Sequence, residues 1–216
     1  MGKLRNAFVK ISHRYKQWRE RRKLRSTDFS IISNNCWAGT AVYQPFGLKY
    51  NTPTVGLFIM DEDYILFLER LEWYLAQTPK FIRPEESKYY DKISDKGKRP
   101  VTYPIALLGD DVELHFLHYH SEEEALSKWL RRVGRINFDR LLVKMSLRDS
   151  GYDISEMQQR FVALKFKNKI CFSPTASTEK CIVEVPELEK LNLVGGDETE
   201  FTLRHIDIYK VLNSIQ

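Results

Sequence analysis

Cysteine is scarce in this chain of 216 residues, and its placement does not favour pairing. The three cysteines, Cys36, Cys171 and Cys181, are odd in number, and no two of them are spaced as Cys-x-x-Cys. Disulfide frameworks and structural zinc sites need denser and more regular spacing than this. The pattern therefore indicates a reducing compartment, and we expect a cytoplasmic protein.

Long hydrophobic runs are also missing. No apolar stretch reaches the roughly 20 residues that a membrane-spanning helix requires, and the N-terminal segment lacks the continuous apolar core and the small-residue cleavage site of a signal peptide. The sequence contains no GxGxxG motif, no Walker loop and no GxSxG nucleophile turn. We therefore predict that the protein does not span a membrane and that it binds no cofactor.

Acidic side chains are nearly absent from the first 25 residues. This segment has ten Lys or Arg residues against a single acid, Glu20, so its net charge is +9. Because the whole chain carries +5, the remainder carries −4. The protein is therefore a mildly acidic body with a basic arm. We predict that residues 1–27 form the arm and that residues 28–216 form a single domain.

The basic arm has the periodicity of an amphipathic α-helix, with apolar residues at intervals of four, three, four and three: Leu4, Phe8, Ile11, Tyr15 and Trp18. Such a helix, with aromatic residues on its apolar side, suits an anionic membrane surface, here through residues 3–25. The apolar side could instead bind a partner or pack on the body of the protein. We expect no nucleic-acid binding, because the basic surface would have to continue into the acidic body.

Strand-like and helix-like segments alternate along the rest of the chain. Ser121 and Glu124 have the spacing of a capping box at the start of one helix. The predicted strands are residues 28–33, 54–59, two runs around the turn at 109–111, 140–146, 168–173 and 180–185; the predicted helices are 61–77, 121–136 and 155–165; residues 79–100 are predicted as a loop, and residues 201–215 as a strand or a helix. This alternation predicts an α/β fold: a single three-layer domain with a mixed or mostly parallel sheet flanked by helices, preceded by the basic amphipathic helix.

A polar segment, SNNCWAG, follows the first predicted strand. In open α/β sheets, ligands bind beyond the carboxyl ends of the strands. A helix beginning near Trp37 would direct backbone N–H groups there and lower the pKa of Cys36, which makes this thiol a candidate nucleophile. Asn34 and Asn35 are candidate donors to an oxyanion or a sugar hydroxyl, and Trp37 offers a flat ring to a sugar. Alternatively, Cys36 and Trp37 belong to the core and both amides bond to a turn.

Two histidines are candidate general acid/base residues, because an unperturbed imidazole titrates near neutrality. His115 and His118 would point to opposite faces of an extended strand, so both reach one site only if the strand ends or bulges between them. His118, His120 and a nearby aspartate could instead bind zinc. A structural histidine is the commoner case, and we predict no metal.

Three arginines lie on the predicted helix at 121–136. Arg131 and Arg135 are four residues apart, and Arg132 is three residues from Arg135, so the guanidinium groups are neighbours. Such a cluster suits the phosphate or pyrophosphate of a nucleotide- or lipid-linked sugar. The alternative is a solvated face that pairs with the glutamates of the same helix. Lys144 and Asp149, at the end of a later strand, could join the same site.

Several ordered blocks of the chain resemble a known family. They are Asn-Asn-Cys-Trp at 34–37, His-Phe-Leu-His at 115–118, Lys-Trp-Leu-Arg-Arg-Val-Gly-Arg-Ile-Asn at 128–137, and Lys144 followed by Arg148 and Asp149. Most of residues 28–175 is similar to the bacterial domain-of-unknown-function family nineteen-nineteen, whose members are often labelled exopolysaccharide or capsule biosynthesis proteins. The resemblance implies an α/β fold and a role in surface-polysaccharide assembly, but no particular reaction.

Two functions from different classes are consistent with these patterns. In the first, the protein is an acyl or glycosyl transferase, or a hydrolase, that acts on a glycan or its activated precursor at the inner face of the cytoplasmic membrane. Its catalytic residues would be Cys36, His115, His118 and Asp149, and its substrate-binding residues Asn34, Asn35, Trp37, Arg131, Arg132, Arg135 and Lys144. In the second, it is a non-catalytic glycan-binding or scaffolding component. Both readings require the polar loop, one imidazole and the arginine helix to meet at one open cleft.

Overall fold

The computed structural model describes residues 2–148, 151–191 and 196–216, with side chains from residue 11 onward in those ranges. The elements in chain order are α1 (Gly2–Arg21), β1 (Ser30–Ser33), a π-helical turn (Ala38–Tyr43), α2 (Asp61–Glu69), α3 (Leu71–Leu75), β2 (Lys80–Ile82), α4 (Tyr90–Ile93), β3 (Ile105–Leu108), β4 (Val112–His115), α5 (Glu122–Val133), β5 (Leu141–Ser146), α6 (Ile154–Ala163), β6 (Asn168–Ser173), β7 (Ile182–Glu184), α7 (Thr199–His205) and α8 (Ile208–Asn213). Short 3₁₀ turns occupy Pro84–Glu86 and Pro186–Lys190.

Four strands form a parallel sheet in the order β1, β5, β6, β7. Every residue of β5 is buried, as expected for a parallel strand that is covered on both faces. One face of the sheet packs in a cluster with residues of α2 and α6, and the other in a cluster with the π-helical turn and α8. The helix-flanked parallel sheet of an α/β fold is thereby confirmed.

A second sheet is antiparallel and contains β2, β3 and β4. The predicted turn between β3 and β4 is confirmed: Gly109, Asp110 and Asp111 form a three-residue hairpin loop, in which Gly109 and Asp110 have positive φ angles of 67° and 75°. The strand predicted at 54–59 is reduced to one bridge, between Phe58 and His115. β2 and α4 lie within residues 79–100, which were predicted as a loop.

The helix predictions are confirmed in outline and corrected in detail. The segment predicted as one helix over 61–77 divides into α2 and α3, because Arg70 leaves the helical region with φ −133° and ψ 40°. Ser121 caps α5 by accepting a hydrogen bond from the Glu124 backbone N–H at 3.1 Å. The Glu124 carboxylate accepts from the His120 backbone N–H instead of completing the predicted capping box with Ser121. The segment at 201–215 forms α7 and α8.

The basic arm is helical, as predicted, over Gly2–Arg21. Its last turns contact the body of the protein at residues 44–47 and at Tyr209. The division into an arm of 1–27 and a domain of 28–216 stays a prediction. Within the described ranges, no helix has both the length and the hydrophobicity needed to cross a bilayer.

Candidate functional site

One cleft brings together residues from the polar loop, the segment after β4 and α5. Its volume is about 350 Å³. Three elements supply one predicted site residue each: Cys36 follows β1, His118 follows β4, and Arg132 lies on α5. We call this the Cys36 cleft; its lining residues are Cys36, Gly39, Thr40, Gln44, Tyr50, Val55, Gly56, His118, Tyr119, Lys128 and Arg132.

Cys36 lies where the backbone enters the π-helical turn. Its thiol is 3.9 Å from the Leu57 carbonyl oxygen, and it is partly buried. Burial raises the pKa of Cys36 to about 11, and the nearby charge of Lys144 only partly opposes this effect. The expectation of a lowered pKa is therefore wrong. The reason is that the cost of placing a thiolate in a poorly hydrated position exceeds the attraction of the positive charges nearby.

Arg132 forms the floor of the cleft. Its guanidinium donates hydrogen bonds to the Val55 carbonyl oxygen at 3.0 Å and to the Tyr119 hydroxyl at 2.6 Å. The same group lies over the ring of Tyr50, at 5.1 Å from its centroid. Arg132 is therefore a buried, fixed positive charge that also orients the aromatic walls.

His118 is solvent-exposed at the edge of the cleft. Its backbone N–H donates to the Gly56 carbonyl oxygen at 3.0 Å, which holds the chain after β4 against the loop before α2. Gly56 has a φ of +86°, and a Cβ added there would lie 3.0 Å from the Tyr119 ring. The close approach of these two segments therefore depends on glycine at position 56.

Lys128 is one turn before Arg132 on α5 and lies over the Tyr119 ring, at 5.2 Å from its centroid. It forms an ion pair with Glu124, and both side chains are about one-third exposed. Because that pair is open to solvent, Lys128 can exchange Glu124 for an anionic ligand at small cost. Lys128 belongs to one of the family blocks but was not among the predicted site residues.

The other two arginines of the predicted cluster do not line the cleft. Arg131 is exposed on another side of the helix. Arg135 donates to the Tyr50 carbonyl oxygen at 3.5 Å and borders a separate depression with Lys49 and Asn51. The predicted three-arginine cluster is therefore dispersed, because Arg131 and Arg132 point about 100° apart on α5 and Arg135 lies beyond the end of the helix.

Two residues of the polar loop are structural. The Asn34 side chain is fully buried and exchanges hydrogen bonds with the Ser146 backbone: its Nδ2 donates to the carbonyl oxygen at 2.9 Å, and its Oδ1 accepts from the N–H at 3.0 Å. The Trp37 ring is buried and donates its indole N–H to Thr202 Oγ1 at 2.8 Å. Neither side chain reaches solvent, so we remove both from the substrate-binding set.

A buried polar network lies behind the loop. Lys144 Nζ donates to Asn35 Oδ1 at 2.9 Å and forms an ion pair with Glu198, which also accepts from Ser146 Oγ at 2.6 Å. Burial lowers the pKa of Lys144 and acts to raise that of Glu198, but the charge and hydrogen bond of Lys144 leave the pKa of Glu198 lowered. Lys144 and Asn35 therefore contact each other rather than the cleft.

Glu198 was missed by sequence reasoning. It lies 54 residues after Lys144, in an acidic segment (Asp197, Glu198, Glu200) that gave no sign of which carboxylate is buried.

His115 is separated from the cleft. Its ring is fully buried between Tyr89 and Tyr103, with centroid distances of 6.2 and 6.0 Å. Burial lowers the pKa of His115 to about 3. Its Nε2 lies 3.5 Å from Glu113 Oε2, but the neutral ring makes this a contact and not an ion pair. A base that cannot gain a proton near neutrality and cannot reach solvent is not a suitable catalyst, so we withdraw that role.

The remaining predictions concern Asp149 and metals. Asp149 lies outside the described residues. Among the residues that the structure describes, no group of three or more His, Cys, Asp or Glu side chains is arranged to hold a metal ion.

The sequence has relatives over nearly its whole length. A family model described as "Domain of unknown function (DUF1919)" matches residues 7–213. A Haemophilus influenzae (strain ATCC 51907 / DSM 11121 / KW20 / Rd) protein with the printed name "Uncharacterized protein" is 33% identical over 183 residues, which make up 84% of this chain and 79% of that protein.

Proposed function

The chain belongs to the DUF1919 family, as its sequence blocks predicted, and we propose that it is a surface-polysaccharide biosynthesis protein that binds an activated sugar precursor in the Cys36 cleft and transfers a group to or from it. One observation carries this proposal: Cys36, His118, Lys128 and Arg132 line the same open cleft. Many nucleotide-linked and lipid-linked sugars contain a pyrophosphate group. Two adjacent cations beside the ring of Tyr50 are a suitable binding site for such a group.

The proposed chemistry follows from the protonation state of Cys36. At neutral pH Cys36 is a thiol, because its pKa is about 11, so the attacking group is a hydroxyl of the acceptor. His118 accepts the proton of that hydroxyl while the hydroxyl oxygen forms a bond to the transferred glycosyl or acyl carbon. The bond from that carbon to the leaving group breaks, and the leaving group departs with the electron pair. Lys128 and Arg132 stabilise the charge that develops on it.

A location at the inner face of the cytoplasmic membrane is part of this proposal. Lipid-linked precursors are held there, and nucleotide-linked sugars are available on that side. The positively charged arm gives the protein a means of staying close to such substrates.

A non-catalytic glycan-binding component of the same pathway is the second candidate. Two observations favour it: Cys36 is held as a thiol, and both hydrogen-bonded partners of Arg132 are groups of the protein itself. A cleft of this kind could bind a pyrophosphate-linked sugar without transferring it.

The experiment compares His118→Ala with His120→Ala. Both histidines are exposed and only two residues apart, but His120 does not line the cleft. Each variant is incubated with nucleotide-sugars and a glycan acceptor; binding is measured by calorimetry and turnover by release of the nucleotide. We expect His118→Ala to lower turnover on the order of a hundredfold or more and His120→Ala to leave it unchanged.

Further variants separate the two candidates. Lys128→Met is expected to weaken precursor binding on the order of tenfold, because a charge-assisted hydrogen bond is lost, and the exposed Arg131→Met serves as its control. Binding without turnover in the unmodified protein selects the non-catalytic role. Absence of binding to any precursor contradicts both candidates.

A further inference from the structure

The apolar side of α1 is exposed. Ile11, Tyr15 and Trp18 have exposed fractions of 65%, 62% and 44%, which places them among the most exposed large apolar residues of the described chain. The rings of Tyr15 and Trp18 stack with their centroids 5.7 Å apart. The part of the apolar stripe whose side chains the structure describes, Ile11 to Trp18, therefore does not pack on the body of the protein, which was one of the alternatives open from the sequence.

A different side of α1 is attached to the body. Gln17 donates to the Gln44 carbonyl oxygen at 2.8 Å, and Arg21 donates to the carbonyl oxygens of Phe46 and Gly47 at 3.1 and 3.0 Å. Glu20 accepts from Tyr209 and Lys23.

The attached side and the apolar side are well separated. At 3.6 residues per turn, they lie roughly 140° apart around the helix axis. The helix is thus held by its polar side, and its apolar side faces outward.

The attachment passes close to Gly47, whose left-handed backbone favours glycine. A Cβ added to Gly47, whose φ is +60°, would lie 2.8 Å from Arg21 Nη1 and 2.7 Å from the end of Gln17. Glycine therefore permits the close approach through which the helix is held in this orientation.

The charges around the apolar side indicate what covers it. The segment up to residue 25 has a net charge of +9. Arg22 lies over the Trp18 ring at 5.0 Å, at the edge of the stripe. Another protein surface would have to supply a matching run of acidic groups around an apolar centre. An anionic bilayer supplies both the negative charges and the apolar region over any area, because its charged headgroups lie above its acyl chains.

The geometry points to α1 as a membrane-binding element: we propose that Ile11, Tyr15 and Trp18 insert at the headgroup level of an anionic lipid surface while the flanking Lys and Arg residues contact lipid phosphates. Gln44, which accepts from Gln17, also lines the Cys36 cleft, so the helix and the cleft share one boundary residue. For its biological purpose the inference rests on the proposed function, but vesicle binding needs no sugar precursor and is measured without one.

The test uses the full chain and vesicles of phosphatidylcholine with or without phosphatidylglycerol. Trp37 and Trp129 are buried, so in a Trp73→Phe background Trp18 is the only exposed tryptophan among the described residues. We expect a blue shift of its emission and co-sedimentation with the anionic vesicles alone. Both signals should decline at high salt, as the Debye length falls from about 10 Å to about 3 Å.

Matched variants test the assignment of the surface. Ile11→Ser/Tyr15→Ser/Trp18→Ser keeps every charge of the arm, and we expect vesicle binding to weaken on the order of tenfold or more. Trp73→Ser/Phe138→Ser removes the same kind of exposed aromatic residue elsewhere on the molecule and should leave binding unchanged. Far-ultraviolet circular dichroism shows whether each variant keeps its helices.

The inference would be overturned by equal binding to neutral and anionic vesicles, by unchanged binding of the triple serine variant, or by a concentration-dependent dimer that the triple serine variant abolishes. Binding to duplex DNA that outcompetes the vesicles would likewise assign the basic arm to nucleic acid. Loss of sugar-precursor binding with vesicle binding intact would count against the proposed function alone.

Discussion

Glu198, which lies just before α7, forms a buried ion pair with Lys144 in the centre of the parallel sheet. The carboxylate is also 3.5 Å from Arg148, and Lys144 continues the network to Asn35 at the end of β1. Through these contacts the Lys144 side chain joins the first strand, the central strand and the C-terminal segment. These polar side chains connect with one another in the interior and do not line the Cys36 cleft.

Glu198→Gln should therefore lower the free energy of unfolding by about 3–5 kcal/mol, because it leaves the charge of Lys144 without a counter-charge in the interior. Chemical denaturation monitored by circular dichroism measures this change. Glu200→Gln is the control: its carboxylate is exposed and pairs with Arg204 at the surface, so it should change stability by less than about 1 kcal/mol. In the double variant Lys144→Met/Glu198→Leu most of the loss should be recovered. A Glu198→Gln protein as stable as the parent would contradict this account.

His115 should make stability depend on pH. Its pKa is about 3 in the folded protein, against about 6.5 in an unfolded chain. Below pH 6.5 the unfolded chain binds a proton on His115 that the folded protein does not bind. The contribution of His115 to the free energy of unfolding is therefore complete above that pH and is lost progressively as the pH falls toward 3. Between pH 7 and pH 5 the loss should be about 2 kcal/mol.

The measurement compares the free energy of unfolding of the parent and of His115→Phe at the two pH values. The variant should lack this part of the pH dependence, whereas His120→Ala, at an exposed position, should retain it. If His115→Phe and the parent lose the same amount of stability on acidification, then the imidazole is not the cause.

Gly56 should be required for the shape of the Cys36 cleft. Gly56 and Gly97 have φ angles of +86° and +81°, but an added Cβ would touch Tyr119 only at position 56 and would meet nothing within 4 Å at position 97. Gly97→Ala should therefore cost about 1 kcal/mol for the backbone conformation alone. Gly56→Ala should cost a further 1–3 kcal/mol, roughly, because Tyr119 must move.

The same pair of variants tests the cleft as a binding site. Tyr119 accepts a hydrogen bond from Arg132, so its displacement should weaken binding of a nucleotide-sugar in Gly56→Ala and leave binding unchanged in Gly97→Ala. Calorimetric titration of both proteins checks this prediction. Equal affinities would mean that the position of Arg132 does not matter to the ligand.

Much of the fold could be predicted because local signals agreed with the tertiary structure. The period of the apolar residues in α1, the capping serine of α5 and the Gly-Asp turn between β3 and β4 depend on nearby atoms only. The segment at 54–59 was predicted as a strand from its composition, but Gly56 has a left-handed backbone, and the β-pairing of the segment is reduced to the bridge between Phe58 and His115. Strand pairing depends on distant partners, which no local pattern reveals.

The site was harder to predict because burial decides the chemistry. Cys36 and His118 do lie at one cleft with Arg132, but Asn34 and Trp37 are close to Cys36 in sequence and point into the interior. The pKa of Cys36 is raised and that of His115 is lowered by the same cause, loss of water around the group. The family resemblance gave the order of the blocks without indicating which side chains face solvent.

The distance in sequence between Lys144 and Glu198 affects how the protein can fold during synthesis. When β5 leaves the ribosome, the carboxylate that neutralises its lysine has yet to be translated, since it follows 54 residues later. The nascent sheet therefore lacks the counter-charge of Lys144 until the segment before α7 has been made. We expect the parallel sheet to be completed only after that segment is available, with the apolar faces of β1 and β5 accessible to chaperones until then.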